Sequence, residues 1–344
     1  MKKVVSTLAL ALLAFCLQSC SPAPREYHQD FYVFGTLVGV TVWDGDDART
    51  HAAFNELQQR FQGMHRDWHA WEPGMLTEIN DAFARGEAAT ATEDILLMIR
   101  RAQEYESASG GRFNAAIGGL IRLWGFHTSD YPVLGPPPSA EAIEEWLQQE
   151  PSSLDVRIEG ATVRSVNSAV MLDFGGIAKG HAIDIACSIL RERGIGNAIV
   201  NAGGDLRAIG SHGERPWNIA VRSPGGGVVA SIETGRDEAI FTSGNYERFR
   251  QDVKERYPHI LDPRTGWPVT DLSSVTVITD EGILADAAAT AITVAGLADW
   301  LEVARNLGTG AVMLIDEHGV VHMTRAMSER VELLQESEVR VYDF

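Results

Sequence analysis

Strand-like and helix-like runs follow one another in this chain without the regular strand–helix alternation that builds a doubly wound parallel sheet. β-branched or aromatic runs occupy 31–43, 197–200, 217–221, 228–233, 239–242 and 274–279, and three short ones share 154–173. Apolar residues spaced three and four apart mark helices over 47–66, 92–107, 178–193 and 284–295, with a short one from Ser139, and a further helix and two or three strands close the chain. That order favours an α+β architecture. The 344 residues suffice for one large domain or two modest ones, and no repeat at a fixed period is apparent.

The first twenty residues read as a targeting segment. Lys2 and Lys3 precede an apolar run, Val4 to Leu17, too short to span a bilayer comfortably. The run ends in LQSC, which resembles a bacterial lipobox, so Cys20 is expected to carry lipid and begin the mature chain. A plain secretory signal is the alternative. Residues 21–30, SPAPREYHQD, read as a polar tether, leaving 31–344 as the folded domain. Cys187 is the cysteine of that domain, so no disulfide is expected within it. A formal charge of −18 argues against a nucleic-acid partner, whose phosphates need clustered Lys and Arg.

Several short motifs are decoys. HRD (65–67) and DFG (173–175) carry kinase letters about a hundred residues apart, and Lys179 in GGIAKG lacks the Ser or Thr of a Walker loop. Four segments place polar or Gly-rich chemistry at the end of apolar runs. They are LDFGGIAKG (172–180), NAGGDLRAIG (201–210), FTSGNYERF (241–249) with YPHILDPRTGWPV (257–269), and ILADAAATAI (283–292). At such places backbone amides face a ligand without side chains in the way. Asp286 and Thr290 stand one helical turn apart, a pair suited to a hard cation such as Mg²⁺. Taken alone, the pair better suits a helix cap and a hydroxyl bonded back to a carbonyl. FTSGN offers N–H groups and hydroxyls to phosphate, or forms an ordinary turn. His259 is the side chain best suited to take a proton near neutral pH, or is a structural histidine.

In order and spacing these segments resemble the ApbE family of FAD:protein FMN transferases, from about Phe34 to Gly296. FGTLVGVTVW looks like the family's opening strand, with Phe34 in place of Met. WHAWEPGMLTEIN carries Trp71 where Tyr is common, and GGRFNAAIGGLIRLWGF carries Asn114 in place of Asp. LDFGGIAKGHAID, NAGGDL, TSGNYER, HILDPRTG and LADAAATA match closely, with Asn245 where Asp is frequent.

The resemblance implies a T-fold-related arrangement of mixed and antiparallel sheets packed with helices, with an FAD cleft between two halves. It implies FAD as substrate, Mg²⁺ as cofactor, and attack by a Thr or Ser hydroxyl of a target flavoprotein on the FMN-side phosphorus, with AMP leaving. Asp286, Thr290 and the Gly176 carbonyl would hold Mg²⁺, and His259 would be the general base. Phe34, Trp71, Arg112, Phe113, Asn114, Asp173, Lys179, Thr242, Ser243, Gly244 and Ile260 would contact FAD. A metal-dependent FAD pyrophosphatase and a flavin-binding lipoprotein without chemistry are the competing expectations. The acceptor would be a subunit of a membrane redox complex. The lipid anchor would place the chain on the periplasmic side of the inner membrane, although Ser21 also permits outer-membrane sorting.

Overall fold

The computed structural model describes residues 25–128, 130–246 and 248–343. The targeting segment and Cys20 lie outside the described residues. Among these, nine strands make one sheet, in the order β1 (Glu26–Val33), β2 (Thr36–Trp43), β7 (Ala198–Ala202), β8 (Asp205–Ile209), β11 (Asp237–Gly244), β14 (Leu272–Thr279), β15 (Ala311–Asp316), β16 (Val321–Thr324) and β18 (Val339–Tyr342). Neighbours run antiparallel except β16 and β18, which are parallel. The architecture is α+β, as the order of runs suggested.

Alternation along the strands divides the apolar side chains between two faces. Phe31, Val33, Val38, Val40, Val42, Val200 and Phe241 face the main core. There they meet helices α1 (Asp47–Trp68), α6 (Ala178–Glu192) and α7 (Gly282–Asn306). On the other face Leu206, Ala208, Ile240 and Ile278 form a second core with Ile219, Val221, Ala230 and Ile232. Those partners come from a small sheet of β17 (Val331–Leu333), β10 (Val228–Glu233) and β9 (Asn218–Arg222).

A third cluster is separate. Leu120, Trp124, Phe126, Ile143, Trp146 and Leu261 pack together in a lobe. The lobe holds α4 (Gly118–Trp124) and α5 (Ala140–Leu147), beside a sheet of β13 (Arg256–Pro258), β12 (Phe249–Gln251) and β4 (Val133–Leu134). The remaining helices, α2 (Met75–Ala84), α3 (Glu93–Ala108) and α8 (Arg325–Ser328), and the sheet β3 (Ala88–Thr90), β6 (Thr162–Ser165), β5 (Val156–Glu159) complete the fold.

Four readings of the sequence change. The single strand expected over 31–43 is a hairpin, turned at Phe34 and Gly35, both at positive φ. Its first strand starts at Glu26, so residues 26–30 of the expected tether belong to the sheet. The run VMLDF makes only an isolated bridge, Met171 to Ile117, because its backbone is diverted to other partners described below. The helix expected over 284–295 and the further helix expected after it join as α7, which runs to Asn306 and breaks between them at Gly296, whose φ is 62°. Asp271 Oδ2 accepts the Leu297 N–H there at 3.2 Å and restarts the helix. By length and composition α7 is apolar enough to cross a membrane, yet it is mostly buried against the sheet and reads as a core helix.

Candidate active site

The run leading into the site is clamped from a distance. Buried Asn80 on α2 donates to the Leu172 carbonyl at 2.9 Å and accepts the Leu172 N–H at 2.7 Å, doing for this backbone what a neighbouring strand would. The Asp173 N–H then reaches the Ala115 carbonyl at 2.8 Å. The Asp173 carboxylate accepts from the Gly175 N–H at 2.8 Å and from the Trp71 indole at 3.0 Å. Burial pushes this carboxyl above its ordinary pKa, against the pull of those two donors. The glycine pair follows, and α6 begins at Ala178.

Two glycines let α6 and α7 touch backbone to backbone. A Cβ on Gly180 would lie 2.2 Å from the Gly282 carbonyl oxygen, and one on Gly282 would lie 2.7 Å from that of Gly180. No side chain fits between them. Asp184, one turn along α6, accepts the Gly282 and Ile283 N–H groups at 2.8 and 2.9 Å, capping α7 from a neighbouring helix. Arg207 on β8 donates to Asp184 in turn, at 2.5 Å.

This crossing brings Lys179 and Asp286 together. The Lys179 ammonium lies between two carboxylates, bonded to Asp286 Oδ1 at 3.1 Å and to Asp205 Oδ2. Asp286 Oδ2 accepts the Gly180 N–H at 3.0 Å, and Asp205 Oδ1 accepts the Thr242 N–H at 2.9 Å. Burial alone would lower the lysine pKa, but the two carboxylates override it and hold the ammonium charged well above the usual lysine range. Burial raises Asp286, and the nearby Asp205 charge raises it further, against the attraction of Lys179.

The donors at this point fit a hard divalent cation. Asp286 is 4% exposed. Thr290 stands one turn later and gives its hydroxyl proton to the Asp286 carbonyl at 3.2 Å, which leaves its oxygen lone pairs free to accept. Gly176 lies against Thr290: a Cβ there would come within 3.4 Å of Thr290 Oγ1 and 3.1 Å of the Phe113 ring. The Lys179 ammonium bonded to Asp286 matches the negative charge that this carboxylate presents. Of the plainer expectations, the Thr290 bond back to a carbonyl is present, while Asp286 caps no helix, since it lies inside α7 and Glu281 precedes that helix as its cap.

His259 comes from the lobe. Its N–H and its Nδ1 both meet the Arg248 carbonyl, at 3.1 and 3.2 Å. A carbonyl only accepts, so Nδ1 carries the proton and Nε2 keeps its lone pair in the neutral ring. Burial, then the positive charges of Arg248 and Lys179, push its pKa down to about 4. Neutral imidazole with a free Nε2 is the form that takes a proton.

The other expected contacts are placed unevenly. Phe34 stacks on Trp68 with ring centroids 6.3 Å apart, at the hairpin tip with φ 55°. The Trp71 ring has Arg122 5.4 Å from its centroid and His127 at 5.3 Å. Phe113 is buried beside Gly176, and buried Ile260 accepts the Val269 N–H at 3.0 Å. Thr242 turns its hydroxyl to that of Thr276 at 2.9 Å, and Ser243 and Gly244 complete the end of β11. Two residues are committed to the protein itself. Arg112 is bound to Asp299 and to the Ser109 carbonyl. The Asn114 amide bridges the Pro151 carbonyl and the Ala116 N–H, at 2.9 and 2.7 Å. Asp205, Asn80, Asp184 and Arg248 carry no expected role from sequence, although Asp205, Asp184 and Arg248 lie in the matching segments NAGGDL, LDFGGIAKGHAID and TSGNYER.

Residues 34–314 match the sequence model of the ApbE family. The chain is 40% identical over 320 residues to a FAD:protein FMN transferase of Rhodobacter capsulatus, covering 92% of this chain and 60% of that one. It thus spans about three fifths of that relative's length. A FAD:protein FMN transferase of Treponema pallidum is 31% identical over 290 residues, 79% of each chain. Among solved structures, the ApbE protein of Thermotoga maritima superposes with a TM-score of 0.80 at 30% identity, over 89% of this chain and 99% of that one. The flavin transferase ApbE from Vibrio cholerae superposes at 0.78 and 25% identity, with the same coverage.

Proposed function

Since this chain belongs to the ApbE family, we propose that it transfers FMN from FAD to a Thr or Ser hydroxyl of an acceptor flavoprotein and releases AMP. The observation that carries the reading is the convergence of Gly176, Lys179, Asp286 and Thr290 where α6 crosses α7. Beside it stands His259, whose tautomer the Arg248 carbonyl fixes and which would act as the base. The Lys179 charge contributes to the lowered pKa of His259, which supports one shared cleft.

In this reading the acceptor oxygen attacks the FMN-side phosphorus while its proton passes to Nε2 of His259. The new bond is the phosphoester to FMN. The bond to the AMP-side phosphate breaks, and AMP leaves with its electron pair. Held by Asp286, Thr290 and the Gly176 carbonyl, Mg²⁺ would supply positive charge to the diphosphate oxygens. Lys179, projecting from the first turn of α6, adds to the anion preference of that helix end. Asp173 holds the Trp71 indole in place at the cleft wall. Contacts from Phe34, Phe113, Thr242, Ser243, Gly244 and Ile260 belong to the same reading of FAD binding.

The purified protein should form AMP from FAD and Mg²⁺ only when an acceptor subunit is present, with flavin left covalently on that subunit. AMP and free FMN without acceptor would point instead to a pyrophosphatase, and unchanged FAD to binding alone. The proposal extends to place. A lipid on Cys20 would hold the protein on the periplasmic side of the inner membrane, near a redox complex that carries the acceptor. Cys20→Ser should move the protein from the membrane to the soluble fraction, and continued membrane association would refute the anchor.

A further inference from the structure

We propose that Arg248 is a second cationic contact for the diphosphate of FAD, set beside the base so that one residue serves both attack and charge neutralisation. This rests on the function proposed above. The need follows from the charges present. Asp173, Asp205 and Asp286 set three carboxylates in or beside the cleft, while the Lys179 ammonium is already shared between two of them. With Lys179 and a divalent cation on Asp286 those carboxylates would be balanced, so a diphosphate brings negative charge beyond what they offset, and cleavage concentrates more on the oxygens around phosphorus.

Arg248 is built to answer it. The chain leaves β11 through Asn245, whose amide donates to the Val269 and Leu272 carbonyls at 2.9 and 2.6 Å and fixes the turn. The Arg248 carbonyl then holds both the N–H and Nδ1 of His259. Its exposed side chain lays the guanidinium over the Tyr131 ring, 5.5 Å from the centroid. Tyr131 stacks on Phe126 at 6.5 Å, and Phe126 meets His259 edge-on at 6.5 Å. The residue whose carbonyl orients the imidazole therefore also carries its charge into the same aromatic cluster. Its charge opposes the rise that burial imposes on Asp173 and adds to the fall that burial imposes on His259. A guanidinium in that position offers a planar fork that matches two phosphate oxygens. As the acceptor oxygen bonds to phosphorus, the hydroxyl proton goes to Nε2, and the fork balances charge on the non-bridging oxygens. The positive neighbour also keeps Nε2 unprotonated before attack.

Arg248→Gln and Arg248→Lys in the full chain test this, since neither alters the carbonyl that orients His259. The charged groups acting on His259 are Arg248 and Lys179. In substrate-free protein, NMR titration of the His259 ring should move up from about 4 by at least roughly half a unit in Arg248→Gln, and by less in Arg248→Lys. With FAD, Mg²⁺ and acceptor, kcat for Arg248→Gln should fall about 30- to 300-fold, KM for FAD should change less, and Arg248→Lys should recover part of the loss. An unmoved titration overturns the placement of the charge, whether or not the protein transfers FMN. A raised KM with unchanged kcat overturns the catalytic role. Wild-type protein that makes only free FMN contradicts the transferase reading, and the titration still decides the position of Arg248.

Discussion

Asp286→Asn should lower FMN transfer by about 1,000-fold or more, with the protein still folded. The amide keeps an oxygen for the Gly180 N–H, and Lys179 keeps Asp205 as a partner, so no buried charge is stranded. What disappears is the negative charge that, with Thr290 and the Gly176 carbonyl, would hold the divalent cation. The loss should appear in kcat for AMP release and in the covalent fluorescence of the acceptor, while the melting temperature changes little. Full turnover in the variant would remove the cation site from α7. Loss through unfolding would show at once in the melt.

His259→Gln should cost about 100- to 10,000-fold in transfer and leave FAD binding, read by flavin fluorescence, close to that of the unaltered protein. The pH dependence gives an independent reading. Because the free-protein pKa is pushed down to about 4, kcat/KM should stay nearly level from pH 7.5 to 5.5 and fall only near that value. A half-loss near the ordinary histidine value of about 6.5 would show that the ring is not shielded as described. The stability sign follows from the same shift. The folded protein binds this proton more weakly than the unfolded chain does. The ring's contribution is therefore complete above about 6.5 and is lost as pH falls toward 4.

The sequence shows most of this site because its chemistry lies in short contiguous segments. LDFGGIAKG carries the glycines, the lysine and the acid within nine residues, and ILADAAATAI keeps Asp286 and Thr290 at one-turn spacing. What it hides is long-range or weakly signalled. Asp205 finds Lys179 across 26 positions, and Asn80 clamps Leu172 across 92. Helix α2 escapes notice because its N-cap is Gly74, whose N–H is met by the Thr77 hydroxyl, so no Ser, Asp or Asn marks the start. The hairpin after β1 is obscured because Phe34 occupies a left-handed conformation usually reserved for Gly or Asn. Arg112 and Asn114 sit in a matching segment, yet tertiary partners, Asp299 and the Pro151 carbonyl, claim their side chains.

The meeting of Gly180 with Gly282 has a mechanical consequence. With no side chains between them, the two helices have no cushion along which to slide, so the lysine and acid they carry form one stiff jaw. The histidine stands on the opposite jaw, seated on its own small aromatic core. Any change in the spacing between the imidazole and that lysine–acid pair would therefore be carried by the smaller core and not by the paired helices.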